Sequence, residues 1–213
     1  MNGFLGCVEA DPAPGTAVRK WMADWLSTPP EKSSFEVKAA PFFYMASGES
    51  DPENRPAASD DAGLTVVYYG FIARDQLAES GSPEPKTNAE VAASLLRLYQ
   101  AKGPEALAAL NGRYVACVWN ARNRSLELMD DIMGLKPIFL WQFNGDFCFA
   151  SNAWALFCHP RFRKTINPLG LVDLLMFNHQ QAQRTLFADL SVLPPGAVTT
   201  FQNGNPFSRE EQA

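Results

Sequence analysis

The 213-residue sequence predicts an α+β fold in which antiparallel strands and helices occupy separate stretches of the chain. Two observations carry that prediction. Four strand-like apolar runs follow one another within residues 113–150, joined by short turns, and helical periodicity lies outside that block, at 16–26, 87–110 and 151–177.

The elements follow in order. Residues 1–8 are apolar, with Gly3 and Gly6 spaced for a compact, buried strand. Val18, Trp21, Met22, Trp25 and Leu26 recur at three- and four-residue intervals, so 16–26 reads as a helix, which Pro29-Pro30 ends. The stretch 47–63, rich in Asp, Pro and Ser, reads as a mobile loop, and 64–72 returns to strand. Thr87 and Glu90 make a capping box ahead of Val91, Leu95, Leu96 and Leu98, opening the clearest helix of the chain. Asn88 can share in that cap. Gly103-Pro104 breaks the helix, and Pro104 at a first helical position starts a short one through Leu110.

Strands then fit 113–119, 125–129, 137–141 and 147–150, and Asn144-Gly145 between the last two is a hairpin signal. Ser151 is placed to cap a helix to Phe157, and Asn167 with Pro168 begins another through Phe177. Residues 198–201 complete the set as a final strand.

Composition narrows the function classes. At 46% hydrophobic content the chain can bury a sizeable core. A net charge of -5 and a pI near 5.1 argue against nonspecific nucleic-acid binding, because no basic stripe would neutralise phosphates. Arg161, Arg163 and Lys164 are the one basic cluster, and it reads as a solvated turn. No apolar run approaches the roughly twenty residues that span a bilayer, so the expectation is a cytoplasmic protein without a membrane partner. Cys7, Cys117, Cys148 and Cys158 are widely spaced and read as buried, reduced thiols. His159 and His179 lack metal-ligand spacing to any cysteine or acid, so no metal is expected.

The chemistry-bearing blocks are more specific. Leu110-Asn111-Gly112-Arg113-Tyr114, Gly134-Leu135-Lys136-Pro137, Phe149-Ala150-Ser151, Arg184-Thr185-Leu186-Phe187 and Leu193-Pro194-Pro195-Gly196 occur in that order over about ninety residues. Together they resemble the class II glutamine amidotransferase domain that forms the N-terminal half of asparagine synthetases. The resemblance sharpens the fold to the four-layer αββα sandwich of N-terminal nucleophile hydrolases, an architecture the patterns alone do not select.

That family usually opens Met-Cys-Gly, and Gly3 and Gly6 match its glycines, so Asn2 stands at the position of the nucleophilic cysteine. In the family the exposed cysteine supplies a thiolate and its own α-amine serves as base. Asn2 can supply neither thiol nor thioester. The strand ending Asn-Gly-Glu resembles Tyr68-Tyr69-Gly70-Phe71, which keeps Gly70 and has Tyr69 for the Asn. A tyrosine hydroxyl reaches from the wrong distance for an oxyanion donor, which must sit about 3 Å from the oxygen. The Ser-Asp-x-Glu motif resembles Thr87-Asn88-Ala89-Glu90, where Asn88 lacks the charge that would pair with an ammonium. The arginine that clamps the α-carboxylate has no counterpart between Thr28 and Asp61, and Arg55 is in the wrong context.

The resemblance therefore implies a degenerate domain, residues 1–204, whose substrate pocket holds Asn2, Tyr69, Gly70 and Asn88 with no intact catalytic residue, followed from 205 to 213 by the start of a linker. Relatives without the cysteine include β-lactam synthetases and the cyclases of lasso peptides, in which the substrate's own amine attacks an acyl adenylate. The implied partner is a C-terminal synthetase domain, in the same or a separate chain, and homodimer contacts are a further implied role. ATP and magnesium would belong to that partner. The string Ser47-Gly48-Glu49-Ser50-Asp51 lacks the second glycine of a pyrophosphate loop. Two alternatives stand beside this reading. One is an active hydrolase using Cys7 after removal of residues 1–6, and the other is a small-molecule sensor.

Overall fold

The computed structural model describes residues 3–8, 20–22, 24, 34–39, 43–48, 57–77, 84–202 and 205–208. Twelve strands among them form two sheets of six, and every pairing is antiparallel. The first sheet contains β1 (Gly3–Val8), β2 (Ser34–Ala39), β3 (Phe43–Gly48), β8 (Phe139–Phe143), β9 (Asp146–Ala150) and β10 (Leu190–Val192), in the order β10-β8-β9-β1-β3-β2. The second contains β4 (Ala57–Asp61), β5 (Leu64–Ile72), β6 (Gly112–Asn120), β7 (Ser125–Asp130), β11 (Val198–Gln202) and β12 (Asn205–Ser208), in the order β12-β11-β7-β6-β5-β4.

Alternation along the strands explains why the sheets stack. Phe4, Phe147 and Phe149 of the first sheet meet Val67, Tyr69, Val115, Cys117, Leu126, Leu128 and Phe201 of the second in one buried cluster. Phe147 and Phe201 stack with ring centroids 3.7 Å apart across that interface, a contact worth roughly 0.5–1.5 kcal/mol beyond area burial. The strand residues of opposite parity face outward and are covered by helices. Leu5, Cys7, Trp141 and Cys148 pack against Trp21, Met22 and the helix α3 (Ala153–Phe157). Val66, Tyr68, Ala116 and Val118 pack against α1 (Asn88–Lys102) and α2 (Pro104–Ala108). Helix, sheet, sheet, helix is the expected αββα sandwich, and α4 (Pro168–Phe177) lies at its flank with much of its apolar surface exposed.

Local chemistry fixes most boundaries where the sequence places them. Thr87 accepts from the Glu90 N–H, and the Glu90 carboxylate accepts from Lys86 and Thr87 N–H, so the capping box forms as expected. Asn144 and Gly145 both take positive φ, 48° and 85°, and turn β8 tightly into β9. Asn167 caps α4 through Leu169 N–H, with Pro168 in the first turn.

Five expectations need correction. Residues 57–61, read as part of a mobile loop, form β4, because they pair along β5 from Asp61↔Leu64 to Ala57↔Tyr68. Residues 34–48, for which no strand is expected, supply β2 and β3, held by pairing of β3 to β1 and of β2 to β3 rather than by local propensity. The helix after β9 is capped by Asn152, whose side chain accepts from Trp154 N–H, and not by Ser151. Ser151 is tied to Phe4, accepting from its N–H and donating to its carbonyl. Residues 205–208, assigned to a linker, instead pair with β11 at the sheet edge, so 198–201 is not the final strand. Cys158 is exposed, whereas Cys7, Cys117 and Cys148 are buried.

Candidate functional site

The expected pocket residues sit at one end of β5, where three elements meet. Tyr69 and Gly70 lie near the end of that strand, α1 begins at Asn88 beside it, and the start of β1 crosses Tyr69 through Phe4, with ring centroids 5.8 Å apart. Asn2 lies outside the described residues. Gly70 and Asn88 do come together, on the wall of a cavity of about 350 Å³ that also involves Phe71, Arg74, Val91 and Arg113.

Gly70 is needed for two reasons. Its φ is +121°, and a β-carbon there would meet the carbonyl oxygen of Arg113 at 2.3 Å and Lys136 Cε at 2.9 Å. The backbones of β5 and β6 therefore approach closely, and Lys136 lies against that contact. Tyr69 does not line the cavity. Its side chain points into the inter-sheet core, 6% exposed, and Lys136 Nζ sits 3.7 Å above its ring centroid. A ring buried in that way under an ammonium is a packing and cation–π element.

Asn88 opens α1, but Thr87 and Glu90 make the capping contacts around it. Arg74, in the 3-10 turn Arg74–Leu77, is anchored by donating from Nη1 to the Lys86 carbonyl at 2.7 Å. Arg113 is exposed on β6 directly opposite Phe71, and its side chain has no hydrogen bond or ion pair among the described residues. Burial pushes the Tyr68 hydroxyl up to about 12, with the positive charge of Arg74 pulling the other way. Hydrogen bonds from Lys86 and Thr87 N–H hold the Glu90 carboxyl below its ordinary value, so its charge is committed to the helix cap.

Cys7 is placed poorly for nucleophilic work. It lies in the middle of the first sheet, 1% exposed, on the helix-covered face, with its Sγ 2.9 Å from that of Cys148. Removal of residues 1–6 would delete most of β1, which pairs on both sides. Among the described residues no group of His, Cys, Asp and Glu could hold a metal ion, and no helix is long and apolar enough to cross a membrane. A second, larger depression of about 420 Å³ lies at the β4–β5 turn, at the opposite end of β5 from Gly70.

A carboxyl outside this cavity is strongly perturbed. Asp130, at the end of β7, accepts from the Gly196 N–H at 2.9 Å, which ties β7 to the Leu193-Pro194-Pro195-Gly196 block. Burial pushes its carboxyl up to about 7. Arg74, Arg113 and Lys136 are site residues that sequence reasoning left without a role. Pairing of β5 with β6 brings Arg113 to Phe71 across an intervening helical stretch, and no local pattern signals that.

Two facing antiparallel sheets between helix layers define the αββα class of the N-terminal nucleophile hydrolase-like fold. Residues 48–210 match the glutamine amidotransferase domain family, and the chain belongs to it. It is similar to asparagine synthetase (glutamine-hydrolyzing) 3 of Bacillus subtilis strain 168, 25% identical over 144 residues that cover 64% of this chain and 23% of that protein. It is also 23% identical over 216 residues to asparagine synthetase (glutamine-hydrolyzing) 1 of the same strain, covering 95% of this chain and 34% of that protein. The chain thus spans between 23% and 34% of the length of these relatives.

Among solved structures, glutamine phosphoribosylpyrophosphate amidotransferase from B. subtilis, complexed with ADP and GMP, superposes with a TM-score of 0.62 at 14% identity, covering 97% of this chain and 48% of that one. A structure described as the allosteric regulatory enzyme of purine biosynthesis gives 0.56 at 11% identity, again over 97% of this chain and 48% of that one. These two likenesses concern the fold.

Proposed function

We propose that this is a glutaminase-inactive amidotransferase-type domain of an asparagine-synthetase-like, ATP-dependent ligase that forms amide bonds, in which it braces the synthetase part. One observation supports the reading above others: position 2 holds an asparagine where the resembled family has its cysteine, and Tyr69, at the place of that family's asparagine, is buried in the inter-sheet core beneath Lys136. Glutamine hydrolysis needs a thiolate to attack the side-chain carbonyl and donors to hold the resulting oxyanion. Asn2 offers an amide and no thiolate for the first task, and Tyr69, which stands where the family has an amide donor, is turned into the inter-sheet core.

The bracing role draws on α4. Leu169, Val172, Leu175, Met176 and Phe177 on this helix are more than half exposed, which is unusual for so apolar a segment and suits a docking face. Gly170 lets α4 sit directly on the Thr185-Leu186 backbone, and Asp173 is held by both Nε and Nη2 of Arg184 at 2.7 and 3.2 Å, so the face is rigidly presented. ATP and magnesium are expected of the partner, in the same or a separate chain.

The test is amide formation by the domain together with its synthetase part. With ATP, magnesium and carboxylate substrate, product forms from a free amine or from ammonium and not from glutamine. Product formed from glutamine as efficiently as from ammonium would overturn the proposal.

A further inference from the structure

We infer that the cavity between the end of β5 and the start of α1 binds a small carboxylic acid that carries no ammonium group. This deepens the proposed function and rests on its claim that the pocket no longer handles glutamine. The cavity, at about 350 Å³, has the size of a site for a small organic molecule. Its polar lining residues are Arg74, Arg113, Asn88 and Tyr68, two of them cationic, with no Asp or Glu among the lining residues. In a chain of net charge -5 such a concentration of cations is not a by-product of composition. Lys136 adds a third positive charge against the far side of Gly70.

The geometry also separates roles. Arg74 is fixed by its bond to the Lys86 carbonyl, which leaves the rest of its planar fork for a ligand, and Arg113 enters the cavity wall with no protein partner of its own among the described residues. Guanidinium forks match planar carboxylates with paired hydrogen bonds. Val91 and Ile72, each 2% exposed, give the cavity an apolar wall, and Phe71, 60% exposed, stands at its rim, so a short hydrocarbon chain has a place to lie. An ammonium group would find no carboxylate among the described lining residues. The Glu90 carboxylate, in the first turn of α1, is engaged with Lys86 and Thr87 N–H, and Asn88 is neutral.

Glutarate, which has the carbon chain of glutamate without the amine, is the probe. Titrated by calorimetry and thermal shift against the intact protein, it binds and raises the melting temperature, and L-glutamine does not. Arg74→Gln and Arg113→Gln each weaken glutarate at least tenfold, because each removes a charge-assisted contact. Arg163→Gln, on the exposed turn after α3, leaves binding unchanged. Asn88→Asp weakens glutarate and gives glutamine measurable affinity, by restoring a partner for its ammonium.

Absence of glutarate binding overturns the inference, as does retention of wild-type affinity in the Arg74→Gln/Arg113→Gln double variant. Tighter binding of inorganic phosphate than of glutarate would overturn the assignment to carboxylates. Failure here is separable from failure of the proposed function. Glutamate release from glutamine would sink the latter whether or not glutarate binds.

Discussion

Asp130→Asn should abolish a pH dependence that the fold imposes on itself. Asp130 is 1% exposed and its carboxyl is pushed from 3.8 up to about 7, chiefly by burial and further by its neighbour Asp131, against the stabilising bond from Gly196 N–H. A carboxyl whose folded value is raised binds more protons in the native than in the unfolded state, so stability is lost as pH rises from near 3.8 through about 7. Three pKa units at 1.36 kcal/mol each correspond to about 4 kcal/mol as the full span of the effect. An asparagine keeps the acceptor for Gly196 and has no proton to lose. Urea denaturation at a series of pH values, with m held constant, reads the difference directly. Near pH 4 the two proteins should be similar in stability, and by pH 8 the variant should exceed the wild type by an amount approaching that span. Parallel wild-type and variant curves from pH 4 to pH 8 would refute the reasoning.

Other perturbations test separate parts of the account. His159 is surrounded by Trp21, Trp141 and Phe143, and burial, helped by Arg161, lowers it to about 4, so its neutral form stabilises the fold. That contribution is complete above pH 6.5 and is lost as pH falls toward 4, and in His159→Phe the loss over this window should disappear from equilibrium unfolding curves. Gly70→Ala should destabilise by roughly 1–3 kcal/mol through strain against the Arg113 carbonyl and should weaken glutarate binding, measured by urea melts and calorimetry. Gly170→Ala places a methyl 2.0 Å from the Thr185 carbonyl oxygen. It should cost a similar amount, roughly 1–3 kcal/mol, by lifting α4 off its seat. Asn2→Cys should not restore glutamine hydrolysis, because Tyr69, Asn88 and the missing clamp remain, and ammonia release at a rate typical of the family would contradict this.

The legible parts of the fold were those governed by local chemistry. The Thr87–Glu90 box, the Pro104 start, the Asn144-Gly145 turn and the Asn167-Pro168 cap each satisfy backbone groups within a few residues, so their signals survive in sequence. What escaped was set at long range. β3 exists because β1 offers ladder partners, β2 because β3 does, β4 because β5 does, and β12 because β11 leaves an edge to be paired. Ser151, which looks like a cap in isolation, is claimed by Phe4 across 147 residues of chain.

The candidate site divides in the same way. Gly70 and Asn88 were identified from motif resemblance and do share a cavity, and Tyr69 was identified but faces the core on the other side of the strand. Arg74 belongs to no motif, and Arg113 lies in the 110–114 block without a role assigned to it there. They reach the cavity only because β5 and β6 pair in the register Phe71↔Arg113 and because the 3-10 turn brings Arg74 back to the Lys86 carbonyl.

The most direct measurement is glutamate release from L-glutamine by the purified protein, followed over hours with a coupled dehydrogenase and checked by intact mass after exposure to 6-diazo-5-oxo-L-norleucine. The account predicts release indistinguishable from the buffer blank and a mass without adduct. Sustained glutamate production, with a stoichiometric adduct at the N-terminal residue or at Cys7, would contradict it.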